Sequence, residues 1–289
     1  MKNKKLLITG GLGYIGSHLV EKLRHKNNVF VLDNLFTGSK LNQFPDVTNV
    51  VADVDNISDI FSGVIFDYIF HLGEYSRVEQ SFSEPELIDR YNVRPFRGVI
   101  QFALSQGSKL VYAGSSTRYY DNNTGYKLSP YALAKFQNVQ TLTQYQNWYG
   151  LNATIVYFFN TYGGRELDYG RYATVIGKFK NMYLSRVDKF PVNGSGLQRR
   201  NFTHIDDAIR GLLLAAEFGS GDGYNLGNNT SHSILDVCRY FDKQADVSGV
   251  MDVANRLDSN VELEKMRLLG WSSQIDLESH IKEWIIKNR

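Results

Sequence analysis

A tyrosine and a lysine stand four positions apart in a stretch that is predicted to be helical. Tyr131 and Lys135 therefore share one face of that helix. A lysine ammonium one turn away favours the phenolate form of a tyrosine, and a phenolate can act as general base on a substrate hydroxyl. Many surface helices carry such a pair, so its placement matters. It follows a predicted strand that leads into residues 114–117 (GSST), where a hydroxyl could share the proton with Tyr131.

A glycine-rich turn near the amino terminus is the second chemical feature. It joins a predicted strand, Lys5–Thr9, to a helix predicted over about residues 15–26. Glycines permit a tight turn and let the backbone approach a pyrophosphate, which the helix N-terminus then faces. An ordinary glycine turn is the alternative. The predicted cofactor-binding residues in this turn are Gly10, Gly13, Tyr14, Ile15 and Gly16.

Acidic residues close the next two predicted strands. Asp33, followed by Asn34, ends the second strand about 20 residues beyond the glycines, where a carboxylate binds the adenosine ribose hydroxyls. A carboxylate there repels a 2′-phosphate, so the predicted cofactor is NAD rather than NADP. Asp33 could also cap a turn. Asp53 ends the third strand, either near the adenine or as a solvated acid.

Predicted strands and helices alternate through the first half of the chain. The strands are residues 5–9, 29–33, 49–53, 68–72, 109–113 and 154–159, and the helices are about 15–26, 85–106 and 129–149. This alternation is typical of βαβ units. It predicts an α/β fold of the Rossmann type, with a doubly wound parallel sheet covered on both faces.

The pattern loosens after about Gly163, where glycine-rich stretches separate shorter elements. We expect residues 1–163 to form an NAD-binding Rossmann domain to which residues 201–227 return. Residues 164–289 are expected to form mainly a smaller substrate-binding region. Because no linker is visible between them, the two parts should be structurally interleaved.

Composition excludes several classes of protein. The chain has 289 residues, 43% of them hydrophobic, which is enough for a sizeable core. A net charge of +2 without a basic run gives no indication of nucleic-acid binding. The single cysteine, Cys238, fits a reducing compartment. With no signal peptide and no run long enough to cross a bilayer, a cytoplasmic protein without a membrane partner or a metal site is expected.

Taken together, these motifs resemble the extended short-chain dehydrogenase/reductase family, in its NAD-dependent nucleotide-sugar epimerase/dehydratase branch. The resemblance runs from end to end of the chain. The matching runs are residues 9–16 (TGGLGYIG), 33–34 (DN), 70–72 (FHL), 115–117 (SST), 129–135 (SPYALAK), 159–163 (FNTYG), 199–207 (RRNFTHIDD) and 269–271 (LGW).

The resemblance implies catalytic and cofactor roles for individual residues. Ser115 would be the catalytic hydroxyl and Tyr131 the base. Lys135 would favour the phenolate and also hold the nicotinamide ribose, with Leu72 among the cofactor contacts.

Substrate contacts are also implied by the resemblance. Asn160 would contact the substrate near its diphosphate, and Arg200 and Arg256 would bind the diphosphate itself. This agrees with the planar geometry of guanidinium, which suits bidentate phosphate recognition. Arg256 could equally be a solvated arginine.

The chain departs from the family pattern at two places. Dehydratases of this branch follow the catalytic hydroxyl with Asp-Glu, and decarboxylases commonly keep a Glu, whereas this chain has Ser116 and Thr117. Neither hydroxyl can replace a carboxylate in acid–base catalysis. After the His-Leu strand, the family's small residues are replaced by the bulky or charged Glu74, Tyr75 and Arg77, which we expect to contact substrate.

The expected function is therefore epimerisation of a nucleotide sugar at C4 through a transient 4-keto intermediate. A 4,6-dehydratase, with Glu74 replacing the missing acid, or a 4-ketoreductase is the first alternative. A non-catalytic NAD-binding protein of the same fold is the second. A homodimer is also expected, formed by the helices at 85–106 and 129–149, since the second carries more apolar positions than one buried stripe needs. Those positions are Tyr131, Ala134, Val139, Leu142 and Tyr145.

Asp33 generates a prediction about cofactor preference. Cofactor-free protein should bind NAD(H) much more tightly than NADP(H), because the carboxylate repels a 2′-phosphate. Calorimetric titration with both cofactors measures the two affinities. Equal or tighter binding of NADP(H) would contradict the assignment of Asp33.

Overall fold

The fold is described from a computed structural model, which covers residues 1–117, 129–249 and 261–289. The chain divides into two compact units. The first comprises Met1–Tyr157 and Ile209–Tyr224, and the second comprises Phe158–Ala208 and Asn225–Arg289. The division therefore falls at Tyr157 rather than at residue 163, and residues 201–208 and 225–227 belong to the second unit.

The strands occur along the whole chain. In chain order they are β1 (Lys5–Thr9), β2 (Asn28–Asp33), β3 (Thr48–Val51), β4 (Tyr68–His71), β5 (Lys109–Ser115), β6 (Ala153–Phe158), β7 (Thr161–Tyr162), β8 (Lys189–Val192), β9 (Arg199–Asn201), β10 (Thr203–His204), β11 (Gly221–Leu226), β12 (Ser231–Ser233) and β13 (Gln244–Val247).

The α-helices lie between these strands, except that the last two follow β13. In chain order they are α1 (Tyr14–Leu23), α2 (Ile57–Ile60), α3 (Pro85–Ile88), α4 (Arg94–Gln106), α5 (Pro130–Tyr149), α6 (Val175–Leu184), α7 (Ile205–Phe218), α8 (Ile234–Tyr240), α9 (Glu264–Leu268) and α10 (Leu277–Asn288). Within the described ranges, none of these helices is both long and apolar enough to span a membrane.

A seven-stranded sheet forms the centre of the first unit. Its strand order is β3-β2-β1-β4-β5-β6-β11. The pairs β1–β2, β1–β4, β2–β3 and β4–β5 are parallel. The strands follow one another outward from β1 in both directions. This is the strand order of a doubly wound dinucleotide-binding fold. The predicted Rossmann-type α/β class is therefore confirmed.

Continuous apolar runs explain why the central strands are buried. Leu6, Leu7 and Ile8 of β1 have no solvent exposure, nor have Leu110 and Val111 of β5. Strands covered by helices on both faces read as unbroken hydrophobic segments rather than as alternating ones. The carboxyl ends of these strands carry the residues to which the sequence assigns chemistry.

The helix predicted over residues 85–106 is interrupted. A π-helical turn, Asp89–Val93, separates α3 from α4. Pro95 explains the break, since proline has no backbone N–H to continue the ladder of helical hydrogen bonds. The turn places a fully buried Asn92, whose side chain accepts from the backbone N–H of Tyr75 at 2.8 Å and donates to its carbonyl at 3.0 Å.

Local sequence signals set the ends of α5. Ser129 is the N-cap and accepts from the N–H of Ala132 at 3.1 Å, and Pro130 fills the first helical position. Gly150 ends the helix with a left-handed φ of 65°. Pro at the start and Gly just past the end are the preferred residues at these positions. The first turn of α5 therefore carries Tyr131.

The argument for a second apolar face on α5 is wrong. Four of the five positions on which it was based, Tyr131, Ala134, Val139 and Leu142, are buried within the chain itself. The large apolar side chains that α5 does leave exposed are Leu133, Trp148 and Tyr149.

The second unit has its own hydrophobic core. Aromatic and aliphatic side chains from α6, β8, α8 and α10 meet there, among them Phe179, Phe190, Phe241 and Ile281. Cys238 is buried in the same cluster as a free thiol. Strand pairs β8–β13, β9–β12 and β7–β10 complete this unit.

Gly16 provides a test of the packing between the glycine turn and α1. A Cβ at this position would lie 2.0 Å from the carbonyl oxygen of Gly10, so the backbone would have to move. We expect Gly16→Ala to lower the free energy of unfolding by about 1–3 kcal/mol, the usual cost of overpacking. Urea denaturation measures it.

Gly98, in the middle of α4, serves as the matched control. A Cβ there meets nothing within 4 Å. Gly98→Ala should therefore raise the free energy of unfolding by about 0.5–1 kcal/mol, because alanine is the better helix former. Equal effects of the two substitutions would show that the close approach at Gly16 is not what constrains the turn.

Candidate active site

The backbone of the glycine turn forms a concave surface, the glycine cradle, and at Gly10 there is no room for a side chain. Gly10 has a φ of 70°, in the left-handed region, and a Cβ on it would lie 2.7 Å from the Cα of Gly73. Gly13 is the N-cap of α1 and no side chain caps this helix. Tyr14, Ile15 and Gly16 form its first turn. A helix N-terminus behind a close-approaching backbone is the arrangement that receives a pyrophosphate.

Asp33 lies against this turn. Its side chain is buried, and its two carboxylate oxygens accept from the backbone N–H groups of Leu12 at 2.9 Å and Leu35 at 2.8 Å. Burial raises the pKa of Asp33 above its ordinary value, and the backbone amides that it accepts from oppose that rise. A carboxylate has about four acceptor positions, so these bonds leave capacity for a ribose hydroxyl.

Asn34 and Asp53 are brought together, as the ends of neighbouring parallel strands require. The Asn34 amide donates to Asp53 Oδ1 at 2.7 Å, and Arg90 lies 3.0 Å from Asp53 Oδ2. These two partners hold the pKa of Asp53 below its ordinary value. Arg90 was missed by the sequence analysis because it comes from the π-helical turn, whose position the sequence pattern did not indicate.

The two catalytic candidates of α5 are both buried. Tyr131 is 7% exposed and Lys135 is 6% exposed. The Lys135 ammonium donates to the carbonyl of Ala113 at 2.6 Å and lies 4.9 Å from the centre of the Tyr112 ring. It also forms an ion pair with the Glu74 carboxylate. Strand β5 and the loop after β4 thus fix the position of the lysine.

Glu74 lies at the centre of a buried polar cluster. Its side chain is 2% exposed, and it accepts from the Tyr112 hydroxyl at 3.1 Å and the Asn138 amide at 3.1 Å. Nε2 of His71 lies 3.4 Å from Glu74 Oε1. Burial alone would raise the pKa of Glu74, but the charge of Lys135, together with His71, holds it below its ordinary value.

These contacts give protein partners to two of the predicted substrate contacts, Glu74 and Tyr75. Glu74 is enclosed by protein groups rather than directed at a sugar, and its ionic partner is Lys135. Tyr75 is 2% exposed and its hydroxyl donates to the carboxylate of Glu84 at 2.6 Å. Arg77 is half-buried, and its guanidinium donates to the carbonyl of Ser76 at 3.0 Å.

Three members of this cluster had no role in the sequence analysis: His71, Tyr112 and Asn138. A signal for Asn138 was present, because it stands three residues after Lys135 and so shares its helix face. A signal for Tyr112 was present as well. It stands two residues before Gly114 in β5, so the two positions share one face of the strand. Burial and the Glu74 carboxylate raise the pKa of Tyr112 well above its ordinary value, so it stays a neutral hydrogen-bond donor.

Ser115 ends β5 and is buried, as is Ser116. The hydroxyl of Thr117 donates to Ser115 Oγ at 2.9 Å. Leu72 follows β4 directly, and its backbone N–H donates to the carbonyl of Thr9 at 3.2 Å. Both residues therefore stand at the carboxyl ends of central strands, where ligands bind in doubly wound sheets.

The predicted diphosphate contacts belong to the second unit or lie outside the described residues. Asn160 has a left-handed φ of 37° and donates to the carbonyl of Asn201 at 3.1 Å. Arg200 lies in β9, and its guanidinium donates to the carbonyl of Arg199 at 2.8 Å. Arg256 falls in the range 250–260, which the structure does not describe. In the described ranges, no group of three acidic, histidine or cysteine side chains is placed to hold a metal ion.

Comparison with known proteins identifies the family. The chain belongs to the NAD dependent epimerase/dehydratase family, whose model matches residues 6–227. Its members are NAD-dependent enzymes that act on nucleotide sugars, and they include epimerases, dehydratases and decarboxylases. The glycine cradle and the carboxylate of Asp33 fit NAD, because a Cβ would fill the space that the backbone leaves at Gly10.

Individual relatives cover nearly the whole chain. A putative UDP-glucose 4-epimerase of Methanocaldococcus jannaschii is 28% identical, over 98% of this chain and 99% of the relative. A UDP-N-acetyl-alpha-D-glucosaminuronate decarboxylase of Bacillus cytotoxicus is 31% identical, over 82% and 78%. The crystal structure of UDP-glucose 4-epimerase from Thermotoga maritima with UDP-glucose superposes with a TM-score of 0.90 at 26% identity, over 98% and 99%.

The charge of Glu74 generates a prediction about pH. Because its pKa is lower in the folded chain than the unfolded value of about 4.3, its ionisation stabilises the fold fully above that pH. This contribution is lost as the pH falls through the depressed folded value. Glu74→Gln lacks this contribution. The difference in the free energy of unfolding between the unchanged protein and Glu74→Gln should therefore shrink below about pH 4.

Urea denaturation of both proteins between pH 3 and 7 measures this difference. Removing one partner of a buried ion pair costs about 3–5 kcal/mol near neutral pH. A difference that stays constant down to pH 3 would contradict the ionised state of Glu74.

Proposed function

We propose that this chain is a nucleotide-sugar epimerase that inverts C4 of the sugar and regenerates its NAD in each cycle. The observation that carries the proposal is the buried pair in the first two turns of α5, Tyr131 and Lys135, beside a strand that ends at Ser115. A binding protein has no need of a tyrosine and a lysine buried together next to a strand end, so the pair favours an enzyme over a non-catalytic NAD-binding protein.

The residues of this chain would carry the proton chemistry. Tyr131, as phenolate, removes the proton of the C4 hydroxyl, and Ser115 hydrogen-bonds the same oxygen. Bound NAD supplies a reversible acceptor for the C4 hydride. Once the 4-keto sugar has presented its other face, Tyr131 returns the proton to the C4 oxygen. Each proton transfer needs the base within hydrogen-bond distance of that oxygen.

The position after the catalytic hydroxyl argues against dehydration. Elimination of water needs an acid for the C6 hydroxyl and a base for the C5 proton, and Ser116 and Thr117 supply neither. Glu74 was the carboxylate that could have replaced them. Its carboxylate is buried and already contacted by Lys135, Tyr112 and Asn138, so its acceptor positions are taken up by protein groups.

Product analysis tests the reaction. Incubation with UDP-, GDP-, dTDP- and CDP-sugars, followed by NMR, should give a C4 epimer with no net change in NADH. The UDP-sugars come first, because the relatives in M. jannaschii and T. maritima are named for UDP-glucose. A 6-deoxy-4-keto product, with its methyl signal, would make the enzyme a dehydratase. Net consumption of NADH would make it a ketoreductase.

Tyr131→Phe is the control for this assay. Loss of a positioned general base lowers the rate by about 10²–10⁴-fold, while NAD should stay bound. Turnover close to that of the unchanged protein would exclude Tyr131 as the base. Bound NAD without turnover of any sugar by the unchanged protein would favour the non-catalytic alternative.

We also propose a homodimer, for which the exposed apolar side chains of α5 now provide the support. Leu133 is 43% exposed and Trp148 is 66% exposed, on the helix that the family resemblance places at a two-fold axis. Light scattering at micromolar concentration should give twice the chain mass of 32.9 kDa. Leu133→Glu should weaken the dimer, whereas Leu41→Glu, at an exposed leucine outside α4 and α5, should not. A monomeric mass for the unchanged protein would contradict the proposal.

A further inference from the structure

A buried ion pair involves the lysine to which catalysis is assigned. The Lys135 ammonium contacts the carboxylate of Glu74, and the two side chains are 7% and 2% exposed. Leaving either charge alone in a buried site is costly, so each holds the other in place. An ammonium has three N–H donors. Glu74 and the carbonyl of Ala113 take two, which among the described residues leaves one for a ribose hydroxyl.

The remaining contacts of Glu74 make its position rigid. Tyr112 and Asn138 each donate to it at 3.1 Å, one from β5 and the other from α5. Asn138 also donates to the carbonyl of Asn92 at 2.8 Å, which joins the cluster to the π-helical turn. Because these contacts fix the carboxylate between β5 and α5, it acts as an anchor for the ammonium.

The same cluster reaches the glycine cradle. His71 lies 3.4 Å from Glu74 through Nε2, and its Nδ1 lies 2.7 Å from the hydroxyl of Thr9. That hydroxyl also accepts from the backbone N–H of Gly73 at 3.2 Å. One chain of polar contacts therefore runs from Lys135 to the loops that the sequence assigns to the cofactor.

We propose that Glu74 is a positioning residue that anchors Lys135 and offsets its charge, so that the site does not hold the reduced nicotinamide more tightly than the oxidised one. This inference rests on the proposed function in one respect, the placement of Lys135 beside the nicotinamide ribose. The nicotinamide ring is cationic in NAD⁺ and neutral in NADH. A lone ammonium would favour NADH, whereas a neutral lysine–glutamate pair removes that bias.

The size of the effect follows from the removal of one charge. A unit charge acting over about 10 Å at an effective dielectric constant of about 20 changes an equilibrium on the order of tenfold. Glu74→Gln should therefore raise the ratio of the dissociation constants, NAD⁺ over NADH, by on the order of tenfold. Glu74→Asp keeps the charge and should return the ratio towards that of the unchanged protein.

The chain offers a matched control in its second unit. Lys180 lies 2.6 Å from Glu166, and these side chains are 10% and 4% exposed, so this is also a buried lysine–glutamate pair. It belongs to α6 and the segment before it, not to the elements that carry Tyr131. Glu166→Gln should alter stability but leave the ratio of the two dissociation constants unchanged.

Calorimetric titration of cofactor-free protein with NAD⁺ and with NADH gives the ratio for each variant. The proposal is supported if the ratio of the two dissociation constants rises about tenfold in Glu74→Gln, returns towards its original value in Glu74→Asp and does not change in Glu166→Gln. An unchanged ratio in Glu74→Gln overturns it, because a merely structural glutamate would weaken both affinities alike. Failure of the unchanged protein to turn over any nucleotide sugar would affect only the proposed function, since the ratio requires no turnover.

A second measurement covers the case in which Glu74→Gln fails to fold. The double variant Glu74→Gln/Lys135→Met removes both charges, so no buried charge is left alone. If Glu74→Gln is destabilised because Lys135 has lost its ionic partner, the double variant should have a higher free energy of unfolding in urea than Glu74→Gln. If the double variant is no more stable than Glu74→Gln, the anchoring role is excluded.

Discussion

A carboxylate and an ammonium that are buried side by side constrain much of the first unit. Neither Glu74 nor Lys135 could be left without the other at that depth, because water is not available to solvate a single charge. The loop after β4 and the first turns of α5 must therefore come together in one register. Tyr112 on β5 and Asn92 in the π-helical turn satisfy the polar groups that remain. The interruption of the helix by Pro95 thus contributes to the order of the site.

The glycine cradle is the second constraint, and it is steric rather than electrostatic. The backbones at Gly10 and Gly73 approach so closely that a Cβ on the first would overlap the second. This approach brings the loop after β1 against the loop after β4. The hydroxyl of Thr9 then bonds to both His71 and the N–H of Gly73. The glycine cradle and the polar cluster around Glu74 are consequently connected by direct contacts.

The family carries out several reactions on one fold, so the fold does not choose among them. The choice depends on a few side chains near the ends of the central strands. In this chain the position after Ser115 lacks a carboxylate, and the carboxylate that follows β4 is buried and ionised. Under the proposed function, both features leave Tyr131 as the principal proton-transferring group. Redox-neutral inversion needs no more than this, provided that the hydride is returned.

The sequence by itself determined the fold class, the glycine turn, the strand-end acids and the helix that carries Tyr131 and Lys135. These features depend on local signals: apolar runs, glycine spacing, a Ser-Pro helix start and a four-residue spacing. It also indicated that residues 73–77 depart from the family pattern, although not what they contact.

Only the tertiary structure decided the partners of Glu74 and Tyr75. Their contacts come from residues distant along the chain, among them Asn92, Tyr112 and Lys135, and a sequence pattern of period two or 3.6 does not specify such pairs. It also decided which apolar residues of α5 face the core, since Tyr131, Ala134, Val139 and Leu142 are all buried within the chain. Burial turns Glu74 from an expected substrate contact into an anchor, because an enclosed carboxylate must take its partner from the protein.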